Sequence, residues 1–258
     1  MKRGPDIEPG SDEAWATWRA ELAPLSRART TPPDWVVEGF LPPGLTLMVG
    51  PPKTFKSTAA LAVAAAVTHG LVIPGSNGKR VKKKGTVVYI AYEQSSGKLR
   101  HILESRIIRR TLKPSETGLC MVKAPWEWQI DEPQGEMRSI ERLVRELAPA
   151  ITIIDPLVLA HSQDENDPRM VRPLVPIREA ALELGVSVLI VHHANKRAGD
   201  GKQDGATGMD FDRIRGTSAL WGMADGGHMM KKIGPSAVGF NSDFKDFESR
   251  QWTWRVPK

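Results

Sequence analysis

The 258-residue sequence predicts an α/β fold, a mainly parallel sheet flanked by helices and followed by a C-terminal β-hairpin. Three observations carry this. Short apolar runs of strand character recur along the chain, at 45–49, 86–92, 151–155 and 186–193. Between them lie segments whose apolar residues repeat at helical spacing. Near-continuous apolar strands, lacking the alternation of a half-solvated sheet, imply burial on both faces, which strands alternating with helices achieve.

In chain order, residues 1–34 read as an N-terminal arm with a linker helix near 12–22, where Trp15, Trp18 and Leu22 share a face, and residues 35–258 as one domain. The proline-rich stretch 31–43 leads into the strand 45–49, which ends beside Gly50. Residues 57–68 are alanine, leucine and valine almost throughout, so this helix is expected between layers and not on a surface. Strand 86–92 precedes a helix carrying Leu99, Ile102 and Leu103, and 120–122 is a short third strand. Ile140, Leu143, Val144 and Leu147 fall at i, i+3, i+4 and i+7, which marks an amphipathic helix before strand 151–155. Leu174, Ile177, Ala181 and Leu184 mark another, with Pro173 and Pro176 near its start. After strand 186–193 comes a glycine-rich polar loop over 195–215, then a helix over 217–224. Strand character returns at 228–233, 244–249 and 252–256, with a turn over 234–242.

Composition excludes several classes. Hydrophobic residues make up 40% and charged residues 26%, the balance of a globular chain and not of a disordered one. The longest apolar run, 59–67, is far short of the roughly 20 residues that cross a bilayer. The first twenty residues lack the apolar core of a signal peptide, so a cytoplasmic setting is expected. One cysteine, Cys120, forms neither an internal disulfide nor a thiolate metal cluster. The net charge of +6 is concentrated: eleven basic residues face two acidic ones between Lys79 and Lys113, leaving the remainder slightly acidic. A general polycation binder is thereby excluded, while one local basic surface could attract phosphate.

The chemistry is expected beyond the carboxyl ends of the parallel strands. Gly50, Pro51, Pro52, Lys53, Thr54, Phe55, Lys56, Ser57 and Thr58 follow the P-loop pattern of glycine, a short loop and Lys-Ser opening a helix, except that Phe55 stands where a second glycine is usual. Backbone N–H groups and the positive helix end would surround phosphate oxygens, Lys56 would neutralise the β- and γ-phosphates of ATP, and Ser57 would ligate Mg²⁺. Asp155 ends an apolar strand, as the carboxylate of a Mg²⁺ shell does. Glu93 ends the preceding strand, where it could orient an attacking water or merely begin a helix. His192 and His193 end strand 186–193 pointing to opposite faces, so at most one faces a nucleotide; adjacent histidines lack zinc-ligand spacing.

The segments Leu45-Thr-Leu-Met-Val-Gly-Pro-Pro-Lys-Thr-Phe-Lys-Ser, Tyr89-Ile-Ala-Tyr-Glu, Ile153-Ile-Asp-Pro, Val191-His-His-Ala-Asn-Lys and Arg215-Gly-Thr-Ser-Ala-Leu occur in one order. Together, across about 35–256, they resemble the RecA-like P-loop ATPases of the plasmid and phage RepA helicase type. The resemblance implies a RecA-like P-loop NTPase core, ATP and Mg²⁺ as ligands, Glu93 as catalytic carboxylate, and Ser57 and Asp155 at the metal. It further implies that His193 senses the γ-phosphate and that Arg215 acts on a neighbouring subunit's nucleotide, with Arg213 and Lys231-Lys232 as alternatives. A hexameric homo-oligomeric ring on single-stranded DNA is the implied assembly, loops 160–168 and 195–214 lining its channel, with a primase or initiator as a further partner. Those loops are acidic and neutral respectively, so electrostatics lends them little support as DNA contacts. The rival expectations are a recombination ATPase of the RecA or RadA kind, and a non-enzymatic ATP-gated module that recruits replication proteins.

Overall fold

A computed structural model describes residues 34–73, 75–76, 78–108, 119–123, 137–162, 164, 166–194, 218–244 and 247–255, together with 11, 12, 15, 16 and 19. The chain divides into two units, Met1–Pro33 and Asp34–Lys258. In the first, residues 12, 15, 16 and 19 are helical and Trp15 is exposed, its backbone N–H bonded to the Ser11 carbonyl at 3.0 Å.

The second unit is built on one eight-stranded sheet. Strands β1 (Gly44–Gly50), β2 (Val87–Ala91), β3 (Leu119–Lys123), β4 (Ile151–Asp155), β5 (Ser187–His193), β6 (Gly226–Gly234), β7 (Ala237–Phe244) and β8 (Phe247–Arg255) lie in the order β3-β2-β4-β5-β1-β6-β7-β8. Pairing is parallel from β3 to β6 and antiparallel from β6 to β8. Helices α1 (Lys56–His69), α2 (Ser96–Ile102), α3 (Met137–Leu147), α4 (Leu174–Leu184) and α5 (Ser218–Met223) complete it, α2 running on into a π-helical turn, Leu103–Ile108.

The period of two along each strand divides the core into two layers. Met48, Tyr89, Ile153 and Val191 point to one face, where they pack against α1, which is apolar all round and buried from Thr58 to Thr68. Leu47, Val88, Ile154 and Ile190 point to the other, against Val144 of α3, Ile177 of α4 and Leu220 of α5. Each such large side chain taken from water stabilises the fold by about 1.5–3 kcal/mol, so the two faces together orient the sheet strongly. Pro173 and Pro176 do not break α4, because both fall at its first turn, where the missing N–H has no partner to lose.

One expectation is corrected. The turn read over 234–242 is shorter, because Ala237–Phe244 is a strand, and 247–255 is one strand where two were expected. The C-terminal hairpin is therefore a three-stranded antiparallel extension of the parallel sheet. Ser242 looked like turn composition, yet its hydroxyl is consumed inside the sheet by His228 Nδ1 at 2.8 Å. His228 in turn stacks on Phe40, with ring centroids 4.0 Å apart, and its Nε2 bonds the Phe40 carbonyl at 2.8 Å. Full burial holds this imidazole neutral, with its pKa lowered to about 3.

Candidate active site

The carboxyl ends of β1, β2, β4 and β5 bring together residues that the sequence separates by more than a hundred positions. Beyond Gly50 the loop doubles back to α1, and it does so through two non-glycine residues in the left-handed region, Lys53 at φ 63° and Phe55 at φ 64°. Phe55 therefore adopts the conformation that the usual glycine supplies freely, at a cost of about 1–3 kcal/mol. Its ring packs against the α1 face of the core, and Lys232 Nζ lies 5.7 Å above it, contacts that a glycine would lack. Gly50 itself admits no side chain: a Cβ there would lie 2.9 Å from the Met230 carbonyl oxygen.

Lys56 is only 7% exposed. Its ammonium folds back to donate to the carbonyls of Gly50 at 2.8 Å and Pro51 at 2.9 Å. Burial lowers its pKa to about 8, against the pull of Asp155 and Glu93. A buried cation held by two neutral carbonyls has much to gain from an anion, as in a phosphate seat. Thr54, also buried, closes the loop by donating to the Pro51 carbonyl at 2.8 Å, and the N–H groups of the first α1 turn lack helical acceptors.

Asp155 ends β4 beside Ala91, the last residue of β2. It follows Ile151 and Ile153 on the α1 face and so sits under the helix start. Desolvation raises its pKa, opposed by hydrogen bonds from Tyr89 and Ser57 and by the charge of Lys56. The Tyr89 hydroxyl donates to Asp155 Oδ2 at 2.5 Å. Gln94 Nε2 donates to Ser57 Oγ at 3.0 Å, while the buried Gln94 Oε1 has no hydrogen-bond partner. Glu93, just past β2, is exposed, yet close enough to act on both Lys56 and Asp155.

His193 pairs with Gly50 in the β1–β5 register, and Ala194 N–H donates to the Gly50 carbonyl at 3.2 Å. By alternation from Leu189 and Val191 it lies on the α1 face, half-buried, while His192 is fully buried on the other side. In the 160–168 loop, Ala160 and His161 are buried and 162, 164, 166 and 168 exposed. Arg213, Arg215 and the loop 195–214 lie outside the described residues. Lys231 and Lys232 are on β6, where it runs past the end of β1, and Lys232 stands beside the P-loop of its own chain. Sequence reasoning missed Tyr89 and Gln94. Their only signal was position, one in the strand that delivers Glu93 and the other next to it.

The donor set fits Mg²⁺. Ser57 and Asp155 offer hard oxygen ligands at one point, and no group of three or more His, Cys, Asp or Glu that could hold a metal occurs among the described residues. A cation held by few protein oxygens, with the rest of its shell from phosphate and water, is what Mg²⁺ prefers.

Comparison with known proteins agrees with this geometry. Residues 17–199 match the family described as AAA domain. A search of curated proteins finds no match. A solved structure described as an ATPase domain superposes with a TM-score of 0.60 over 95% of each chain, at 15% identity, which shows a shared fold. The fold and the loop thus define a RecA-like P-loop ATPase. Within that class the chain belongs to the AAA domain family, whose match spans most of its length.

Proposed function

We propose that this protein hydrolyses ATP with Mg²⁺ and uses the energy to move along single-stranded DNA, as one subunit of a hexameric ring serving replication of a plasmid or phage in the cytoplasm. The observation that carries the ATPase reading is the convergence of Lys56, Ser57, Asp155 and Glu93 at one end of the sheet. Lys56 would exchange its two carbonyls for β- and γ-phosphate oxygens, and the residues Gly50 to Thr58 would enclose the phosphates with backbone N–H groups. Ser57 and Asp155 would hold Mg²⁺, which supplies charge neutralisation on the phosphates. Glu93, exposed beside them, is the candidate to orient and deprotonate the attacking water. His193 adjoins the start of the P-loop and is suited to register a γ-phosphate. The motor and ring parts rest on the resemblance to helicases of the RepA type, and the shared fold with a solved ATPase domain is consistent with them. Arg215 is then assigned to a neighbouring subunit's nucleotide, and a primase or initiator is a further partner.

Particle mass measured with and without ATP and single-stranded DNA, alongside hydrolysis rates, tests the assembly. A defined DNA-dependent ring that hydrolyses ATP is expected; an open filament favours a recombination ATPase, and a monomer that binds ATP without turnover favours a recruitment module. Mixing Arg215→Ala with Lys56→Ala protein tests the arginine. Rescue of hydrolysis is expected, because a mixed interface pairs an intact P-loop with an intact arginine; mixed oligomers without rescue remove the trans role.

A further inference from the structure

Tyr89 is the one hydroxyl-bearing side chain of β2, and it lies in the centre of the sheet, fully buried on the α1 face. Its phenol extends from the level of Ile153 toward the carboxyl end of β4 and donates to Asp155 Oδ2 at 2.5 Å. A buried phenol needs a partner, and a buried carboxylate needs donors; here each meets the other's need. The consequence for the site is directional. With Oδ2 committed to Tyr89, the carboxylate cannot rotate freely about its Cβ–Cγ bond, and its remaining acceptor capacity faces Ser57.

We propose that Tyr89 is a positioning residue for Mg²⁺: by fixing the orientation of Asp155, it presents the carboxylate toward the cation that accompanies ATP on Ser57. Tyr89 touches neither substrate nor metal. It acts through Asp155, as hydrogen-bonded outer groups act on metal ligands, where removal typically weakens metal affinity about 10–100-fold. This rests on the nucleotide reading above and assigns it one more residue. Phenylalanine is not equivalent at this position, because it preserves the ring packing and leaves a buried oxygen of Asp155 without its donor.

Binding of a fluorescent ATP analogue to wild type, Tyr89→Phe, Asp155→Asn and the double variant, in EDTA and in excess Mg²⁺, separates the alternatives. In EDTA, wild type and Tyr89→Phe should bind within about twofold of each other, because the phosphate seat is untouched. With Mg²⁺, Tyr89→Phe should bind about ten-fold more weakly and require correspondingly more Mg²⁺. Adding Tyr89→Phe to Asp155→Asn should change nothing further. Equal weakening in both media means a packing role and overturns the proposal, as does binding unchanged in both. Wild-type protein that binds no ATP in either medium removes the nucleotide reading itself, and the proposal with it. A measurement on the unmutated side chain covers the case in which Tyr89→Phe does not fold. The chain has only two tyrosines, Tyr89 and Tyr92, so protein carrying fluorotyrosine gives two ¹⁹F signals, assigned with Tyr92→Phe. Titrating Mg²⁺ at constant ATP should shift the Tyr89 signal as Asp155 gains a cation; a signal that stays fixed while Mg²⁺-dependent binding occurs overturns the proposal.

Discussion

The two ends of the sheet use their charged groups differently. At the amino end the charged groups Asp225, Arg178 and Lys83 are spent on the protein itself, although the hydroxyls of Thr46 and Thr152 are buried there without partners among the described residues. Asp225 forms a bidentate pair with Arg178, including Arg178 Nε to Oδ2 at 2.8 Å, and accepts the Leu45 N–H at 2.8 Å. Lys83 Nζ bonds the Gly185 carbonyl at 2.9 Å just past the end of α4; in the segment that precedes β1 in the chain, the Gly39 carbonyl accepts from Lys79 Nζ at 2.9 Å and Glu38 pairs with Lys82. At the carboxyl end the groups are poised. Lys56 is buried on neutral carbonyls, Gln94 Oε1 has no partner, and two non-glycine residues hold left-handed backbone. Three lysines of the basic stretch that stands out in the sequence, Lys79, Lys82 and Lys83, thus bond the framework, whereas Lys56, buried at the P-loop, sits apart from that stretch.

The largest expected effect breaks the poised end. Lys56→Met should abolish hydrolysis in steady-state assays while the protein melts no lower than wild type. The sign follows from linkage: the folded pKa of Lys56 is lowered to about 8, so at pH 7 its charged form costs stability, a penalty relieved as pH rises from about 8 toward 10.5. Removing the ammonium should therefore leave stability equal or raise it by up to about 2–3 kcal/mol. A folded variant with near-normal turnover would sink the P-loop assignment. Glu93→Gln should keep ATP affinity within a few-fold and slow hydrolysis by about 10²–10⁴, the contribution of a positioned general base. Equal loss of binding and turnover would point to a structural role instead.

The amino end should show the reverse pattern. Asp225→Ala leaves Arg178 half-buried without its partner and the Leu45 N–H without its acceptor. Denaturant unfolding should show a loss of about 2–4 kcal/mol, with kcat per folded molecule unchanged. A fall in kcat at full folding would show that the two ends are coupled. His228 supplies the pH dependence of the framework. Its folded pKa of about 3 lies below the ordinary 6.5, so its contribution is fully present above about pH 6.5 and is lost as pH falls toward 3. Unfolding followed across that window should fall by a few kcal/mol more in wild type than in His228→Phe, provided the variant folds. The smallest effect is expected at Lys83→Ala, about 0.5–1 kcal/mol of stability and no change in hydrolysis, since two hydrogen bonds near a helix end, to the carbonyls of Leu184 and Gly185 and exposed or partly exposed, are what is removed.

The sequence carried what is local. Strand, loop and helix from Gly44 to His69 were legible because residue spacing and apolar content act over a few neighbours, and Lys56, Ser57 and Asp155 could be named because each belongs to such a segment. The departure at Phe55 was visible too, but not its resolution, since only the backbone shows the left-handed turn. The antiparallel strand 237–244 was obscured because its first residues, up to Asn241 and Ser242, read as a turn. Tertiary structure alone decided the pairings that join distant positions: Tyr89 with Asp155, 66 residues apart; Gln94 with Ser57, 37 apart; Arg178 with Asp225, 47 apart; and His228 with the Phe40 carbonyl, 188 apart. Nothing in the local pattern marks such residues, because a partner dozens of positions away leaves no trace in the spacing or composition of the segment that holds them. Their roles arise when the sheet stacks β2 on β4 and β1 on β6, bringing to one level side chains whose hydrogen-bonding needs can then be met only by each other.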